Sequence, residues 1–413
     1  MTITGGVPLR GTVAVQGSKN GSLPVLAASL LCGGTTELNH CPEIDDTDTA
    51  LEILRALGCE AERNEDRAVI RADDAHGDAI PDDLMRRMRS SVVFLGAILA
   101  RQGRAVLSQP GGCPLGPRPI DMHLAALRSL GMRLEETGGR LVCTAERLTG
   151  ARIVLPFPSV GATENVLLAA CTAEGRTQLL CAACEPEIVE LSAFLNACGA
   201  RITGAGSPEI VIDGVPGLHG VPYRLESDRI VAATYLAAGA ITGGDVEVRD
   251  VPAAQIQSVL RAMESAGCRV TESGRNVRVT APPRLGSFGT LQTMPYPGFP
   301  TDVQAICMAM ASVSEGTSVF IENIFSDRYK HCPELVRMGA RIRRVDRIAV
   351  VEGVSTLHGA PLLAEDLRGG AALLLAALAA DGKSTLRGLP HVTRGYERVG
   401  ENLRALGAQL ETV

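Results

Sequence analysis

The chain has no tryptophan, and aromatic residues make up only 3% of its 413 positions. That scarcity argues against a platform that stacks nucleobases, and it leaves the core to Leu, Val, Ala and Ile. No basic run or basic tail is present, and the formal net charge is −6. Tight non-specific binding to a phosphate polymer is therefore not expected, and nucleic acid is set aside as a partner. The longest uncharged apolar run, residues 369–380, falls short of the roughly 20 residues a membrane span needs. The start, Met1-Thr2-Ile3-Thr4-Gly5-Gly6, lacks a basic segment followed by an apolar one. The expectation is a cytoplasmic protein with no membrane partner. Neither a GxxxxGK[ST] nor a GxGxxG loop occurs, so no triphosphate or dinucleotide cofactor is indicated.

Cysteine, by contrast, is plentiful, with twelve residues. In a reducing compartment these are expected mostly as small buried hydrophobes. Cys181-Ala182-Ala183-Cys184 has no second pair and no nearby His, so no metal site is expected.

Glycine carries the organisation. A helical tail ending in Gly recurs at Gly58, Gly131, Gly199, Gly267, Gly339 and Gly407, at successive intervals of 73, 68, 68, 72 and 68 residues. A second set, Gly34, Gly103, Gly175, Gly243, Gly316 and Gly382, falls about 24 residues ahead of the first. An Ala/Leu-rich segment precedes each early glycine, a strand-like run follows it, and two short strands follow each late one. The repeating unit reads strand, helix, strand, helix, strand, strand. Six units, three per domain, give two similar α/β domains, in line with a length beyond one ordinary core. The first helix of each unit is apolar nearly all round and should be buried; the second is amphipathic and should face solvent. A solenoid built from the same repeat predicts elongated stacking without a shared cleft.

Aligned at the start of the apolar helix, the units show Lys19-Asn20, Arg89, Ser159-Val160-Gly161, Asp228-Arg229, Thr301-Asp302 and Asp366 with Arg368. Helix amino ends carry unpaired N–H groups and partial positive charge, and they receive anions. Convergence of these ends would make a cleft lined by Lys19, Arg89, Arg118, Arg229 and Arg368, suited to phosphates and carboxylates. The plainer alternative makes Ser159 and Asp228 ordinary caps and the arginines solvated. Asp302 follows a rigid Tyr296-Pro297-Gly298-Phe299-Pro300 entry. It either caps its helix or meets a countercharge and works as a base. The loop Pro110–Asp121 packs three glycines, four prolines, Cys113 and Arg118 into twelve positions. It is a binding loop, or else an exposed turn with an incidental thiol. The scattered histidines read as surface or satisfied core residues.

Gly17-Ser18-Lys19-Asn20, Gly111-Gly112-Cys113 with Gly116 and Arg118-Pro119, Ser159-Val160-Gly161-Ala162-Thr163, Pro297–Asp302 and Arg394-Gly395-Tyr396-Glu397-Arg398 together resemble the UDP-N-acetylglucosamine enolpyruvyl transferases. The resemblance runs along essentially the whole chain. It implies a two-domain inside-out α/β barrel of six βαβαββ repeats. Residues 1–18 with 227–413 form the catalytic domain, and 19–226 form a second domain carrying the Cys113 loop. It implies transfer of the enolpyruvyl group of phosphoenolpyruvate to the 3′-hydroxyl of UDP-N-acetylglucosamine, the first committed step of peptidoglycan synthesis, without metal or redox cofactor. Asp302 is then the base and Cys113 the thiol that fosfomycin alkylates. Lys19, Arg118 and Arg394 hold phosphoenolpyruvate, while Arg89, Arg328 and Arg368 balance charge. Asn20, Ser159, Val160, Gly161 and Asp302 contact the sugar nucleotide, and Pro119 and Arg229 belong to the substrate-binding set. A monomer or weak homo-oligomer is expected. Pro114, Pro117, Ser326-Asp327 and Gln16 depart from the family pattern. They leave open a paralogue acting on another UDP-sugar, and a non-catalytic sugar-nucleotide sensor is the reading from another class. The shikimate-pathway transferase shares fold and donor but lacks the Cys loop.

Overall fold

The computed structural model describes residues 1–108 and 120–411. Within them the chain forms two compact units, one from Met1–Gln16 with 227–411 and one from 17–108 with 120–226. Gly17 and Ser18 thus fall in the second unit rather than at the end of an amino-terminal 1–18 segment. There the Ser18 N–H donates to the Glu226 carbonyl at 2.7 Å, and the Ser18 hydroxyl accepts from Gly21 N–H at 3.0 Å to cap a helix.

All twelve periodic glycines have positive φ, from 68° at Gly103 to 104° at Gly131 and Gly199. A Cβ is disfavoured in that conformation, so glycine is what lets the chain turn out of a helix into the next strand at each repeat.

Each repeat builds one small sheet of fixed order. In the third repeat, Arg152–Val154 runs parallel to Arg176–Leu180, which pairs antiparallel with Glu209–Asp213, which pairs antiparallel with Arg201–Thr203. The fifth repeat does the same with Thr290–Gln292, Thr317–Ile321, Ile348–Glu352 and Arg341–Val345. In the second repeat the first strand shrinks to a bridge between Ala79 and Val106, leaving three strands. These six sheets, and a seventh two-stranded pairing of Leu218–His219 with Cys32–Gly33, remain separate among the described residues.

The repeats are not all contiguous. Arg10–Ala14 precedes the first repeat's helix, yet it pairs parallel with Asp245–Arg249 of the fourth. Pro222–Arg224 precedes the fourth repeat's helix, yet it pairs with Thr35–Asn39 of the first. Thr2–Thr4 completes the sixth sheet, between Lys383–Arg387 and Gln409–Glu411. Two strands have been exchanged between halves of the sequence.

The six inner helices are Lys19–Ser29, Phe94–Gln102, Val160–Ala170, Arg229–Ile241, Thr301–Ser312 and Leu367–Ala379. Helices inside and sheets outside is the expected architecture. In one unit Thr301–Ser312 packs on both Leu367–Ala379 and Arg229–Ile241; in the other Phe94–Gln102 packs on Val160–Ala170 and Lys19–Ser29. Leu373, Leu374, Leu375 and Leu378 of the sixth inner helix are all buried. Each such side chain contributes about 1.5–3 kcal/mol relative to exposure, so these helices drive the folding of a core poor in aromatics. Outer helices keep one apolar stripe: Gln257–Ser265 buries Val259, Leu260, Ala262 and Met263. None of the described helices is long and apolar enough to cross a membrane.

Candidate active site

The fifth inner helix starts at Thr301 after Pro300, and Asp302 does not cap it. Its carboxylate faces countercharges instead. Asp302 Oδ1 accepts from Arg328 Nη2 at 2.6 Å, and Oδ2 accepts from Arg368 Nη2 at 3.1 Å. Both guanidiniums are buried, at 3% and 4% side-chain exposure against 26% for Asp302. The carboxylate is therefore the exposed end of an ion triad whose cations cannot reach water. Burial alone would lower the Arg368 pKa; the Asp302 charge, with Tyr396 and Asp228, outweighs it and raises the value. Removing one partner of such a set leaves a buried charge uncompensated.

The segments around the triad are pinned by side chains. Arg328 donates through Nε and Nη2 to the Thr301 carbonyl and lies over the Phe325 ring. Glu322, fully buried, accepts from the Thr293 and Thr301 hydroxyls and from the Ile324 and Phe325 N–H groups. One carboxylate thus fixes both the helix entry and the loop that delivers Arg328. On the other side, Arg368 donates to the Tyr396 hydroxyl, which shares a hydrogen bond with Thr234. Gln16 holds the Arg394–Arg398 segment in place: its amide donates to the Gly395 carbonyl, and its carbonyl accepts from Glu397 N–H. Arg394 itself ends the short helix Pro390–Thr393. Arg229, buried, opens the fourth inner helix beside the Asp228 cap and lies over the Tyr296 ring. Next to this group His331 is buried, with neither ring nitrogen hydrogen-bonded among the described residues. Burial pushes its pKa down to about 4, with Asp366 opposing and Arg328 assisting.

The other unit holds the remaining predicted residues. Lys19 opens the first inner helix, and its Nζ lies 2.7 Å from Asp46 of the outer helix Asp45–Ala56. Asn20 follows it, half-buried. Ser159 caps the third inner helix, accepting from Ala162 N–H, and Ser159, Val160 and Gly161 are all half-buried at that end. Ser159 and Asp228 are thus true caps, as the plainer alternative holds, whereas Arg229, Arg328 and Arg368 are buried rather than solvated. His123 is buried beside Gly161 and hydrogen-bonded to Asn165. Glu164, one turn into the same helix, is buried; desolvation first, then the charges of Glu187 and Glu185, raises its pKa well above the usual carboxylate range.

Cys113, Arg118 and Pro119 lie outside the described residues, and the Arg89 side chain is not among those described. Arg89 opens the 3-10 turn Arg89–Val93 that leads into the second inner helix. The described cysteines form no disulfide, and most are buried. Burial pushes the Cys59, Cys143 and Cys268 thiols up to about 11, so these are structural thiols rather than nucleophiles. Asp46, Glu322, His331 and Asn165 escape sequence reasoning. Asp46, Glu322 and Asn165 have partners 27, 21 to 29 and 42 to 73 residues away. His331, expected as a surface or satisfied core residue, is instead buried with no hydrogen bond to its ring among the described residues.

Comparison with known proteins completes the picture. Residues 3–403 match the family described as EPSP synthase (3-phosphoshikimate 1-carboxyvinyltransferase). The chain is 46% identical over 412 residues to a UDP-N-acetylglucosamine 1-carboxyvinyltransferase of Nitratidesulfovibrio vulgaris, covering 99% of this chain and 98% of that one. It is 44% identical over 408 residues to UDP-N-acetylglucosamine 1-carboxyvinyltransferase 2 of Caldanaerobacter subterraneus, with the same coverage. Among solved structures, the enolpyruvyl transferase NikO from Streptomyces tendae superposes with a TM-score of 0.90 at 28% identity, over 99% of this chain and 97% of that one. An EPSP synthase from Acinetobacter baumannii shares the fold at a TM-score of 0.73 and 21% identity, over 98% and 97% of the two chains.

Proposed function

Because the chain belongs to the UDP-N-acetylglucosamine 1-carboxyvinyltransferase family, we propose that it moves the enolpyruvyl group of phosphoenolpyruvate onto the 3′-hydroxyl of UDP-N-acetylglucosamine. In this reading Asp302 takes the hydroxyl proton as the oxygen bonds to C2 of phosphoenolpyruvate. A proton added at C3 completes a tetrahedral ketal. Loss of a C3 proton and of inorganic phosphate then restores the double bond. Both substrates are anionic, so fixed cations stabilise the ketal more than water can. Lys19, Arg118 and Arg394 hold the phosphate and carboxylate of the donor. Arg89, Arg328 and Arg368 balance charge; Asn20, Ser159, Val160, Gly161 and Asp302 contact the sugar nucleotide, and Pro119 and Arg229 complete the substrate-binding set. Cys113 is the thiol that fosfomycin alkylates. The enzyme works in the cytoplasm, as a monomer or weak homo-oligomer, at the entry to peptidoglycan synthesis.

One observation carries the assignment of the base: Asp302 is aimed by two buried arginines rather than spent on its helix cap. A ligand phosphate that draws either guanidinium to itself frees a carboxylate oxygen to accept a proton. The test is phosphate release from phosphoenolpyruvate across a panel of UDP-sugars. Release with UDP-N-acetylglucosamine supports the proposal, and release only with a different sugar makes this a specialised paralogue. Tight UDP-N-acetylglucosamine binding with no release would leave a sensor.

A further inference from the structure

Glu190 lies on the outer helix Pro186–Ala197 at 5% exposure, and the mechanism above does not use it. That helix packs on the first inner helix, which begins at Lys19. Glu190 Oε1 accepts from the Glu226 N–H at 2.6 Å. In sequence Gly17 opens this unit and Glu226 closes it. The two ends lie side by side: the Glu226 carbonyl accepts from the Ser18 N–H at 2.7 Å. The Ser18 hydroxyl in turn caps the first inner helix at the Gly21 N–H.

The other carboxylate oxygen closes a ring. A Cβ placed on Gly21 would overlap Glu190 Oε2 and meet Glu190 Cδ at 3.0 Å. Glycine gives up more backbone freedom in a helix than alanine does; here its missing methyl is the space that the carboxylate fills. A capping box would carry a glutamate at this position of the helix itself, whereas here the carboxylate arrives from a second helix. Glu190 makes room for a methyl only by turning away from Glu226, which costs that N–H its acceptor. Glu190, Glu226, Ser18 and Gly21 thus form a closed ring of contacts. Lys19 and Asn20 sit inside it, between the Ser18 cap and Gly21.

We propose that Glu190 is a positioning residue for both substrates: through Glu226 and Gly21 it fixes the first turn of the first inner helix, and with it Lys19 and Asn20. It transfers no proton and touches no ligand. The proposal rests on the assignment of Lys19 to phosphoenolpyruvate and of Asn20 to the sugar nucleotide.

Melting temperature reads the ring without reference to any substrate. Gly21→Ala should lower it by roughly 3 °C or more in the wild-type background. In Glu190→Asp, whose carboxylate is one methylene shorter, the same change should not lower it further. An equal loss in both backgrounds overturns the ring. In steady state, where each variant is folded, Glu190→Ala should raise KM for phosphoenolpyruvate and for UDP-N-acetylglucosamine about tenfold each, the scale of one lost hydrogen bond. Glu190→Gln keeps an acceptor for the Glu226 N–H and should stay within about twofold of wild type. A rise in only one KM, a fall in kcat with both KM values unchanged, or equal losses in Glu190→Gln and Glu190→Ala would overturn the positioning role. Should Glu190→Ala not fold, Gly21→Ala, which turns the same carboxylate away, is the variant whose KM values decide. A wild-type enzyme that releases no phosphate with UDP-N-acetylglucosamine would overturn the functional reading and the positioning role with it, and the melting cycle would then stand for the ring alone.

Discussion

Asp302 and Glu164 make an instructive pair. Each is an acid in the first turns of an inner helix, one in each unit. Asp302 is partly exposed and meets two buried arginines; Glu164 is buried and faces the like charges of Glu187 and Glu185. Helix position alone therefore does not set what a carboxylate does. The charges that surround it do, and they come from elsewhere in the chain.

The sharpest way to break the comparison is to neutralise each acid. Asp302→Asn should lower kcat by about 10²–10⁴, the usual range for loss of a general base, while calorimetric binding of UDP-N-acetylglucosamine persists. Unchanged turnover would remove Asp302 from the chemistry. Replacing a countercharge probes the same triad from the other side. Arg368→Met leaves Asp302 paired with Arg328, so no buried charge is orphaned. Losing the bonds to Asp302 and Tyr396 should cost about 1.5–3 kcal/mol of stability in denaturant titration; a loss below about 1 kcal/mol, the range of a surface pair, would show that the triad is solvent-screened.

His331 extends the contrast to acid pH. Its folded-state pKa lies near 4, below the ordinary 6.5, so the unfolded chain binds the extra proton in that window. Stability is kept above pH 6.5 and lost as pH falls towards 4, by roughly 3 kcal/mol in all. His331→Leu should flatten this part of the pH profile, and an unaltered slope would mean that the ring is not the source. Glu164 works in the opposite direction. With its pKa raised, it contributes stability below the unfolded value of 4.5 that is lost as pH rises through the folded value. Glu164→Gln should therefore raise the melting midpoint at neutral pH, with little gain at pH 4. A drop at both pH values would show that the carboxylate has a partner worth more than its neutral isostere.

Local geometry was readable and long-range pairing was not. The twelve glycines announce themselves because a left-handed turn tolerates little else, and their spacing carries the repeat. The strand Arg10–Ala14 buries only Val13 and carries no mark of its partner, so its pairing with the fourth repeat could not be read from pattern. Asp302 stood out through its rigid entry, whereas its arginines lie 26 and 66 residues away; the repeat alignment put Arg368 at a shared cleft without pairing it to Asp302, and Arg328 came only from the family resemblance. The departures are explained in part. Asp327 is drawn to Lys330 and Arg344 at the surface rather than to the triad, and Gln16 clamps the segment after Arg394. Nothing in the structure explains Ser326.

The exchange of strands has a consequence for the nascent chain. The described residues of the second unit, 17–108 and 120–226, all precede residue 227 and can close on one another while translation continues. Met1–Gln16, made before the second unit, has no sheet to join until Asp245–Arg249 and Lys383–Arg387 have left the ribosome. These early residues are thus among the last to find their places, and a ribosome stalled before residue 245 would release one finished lobe with the strand Arg10–Ala14 unpaired.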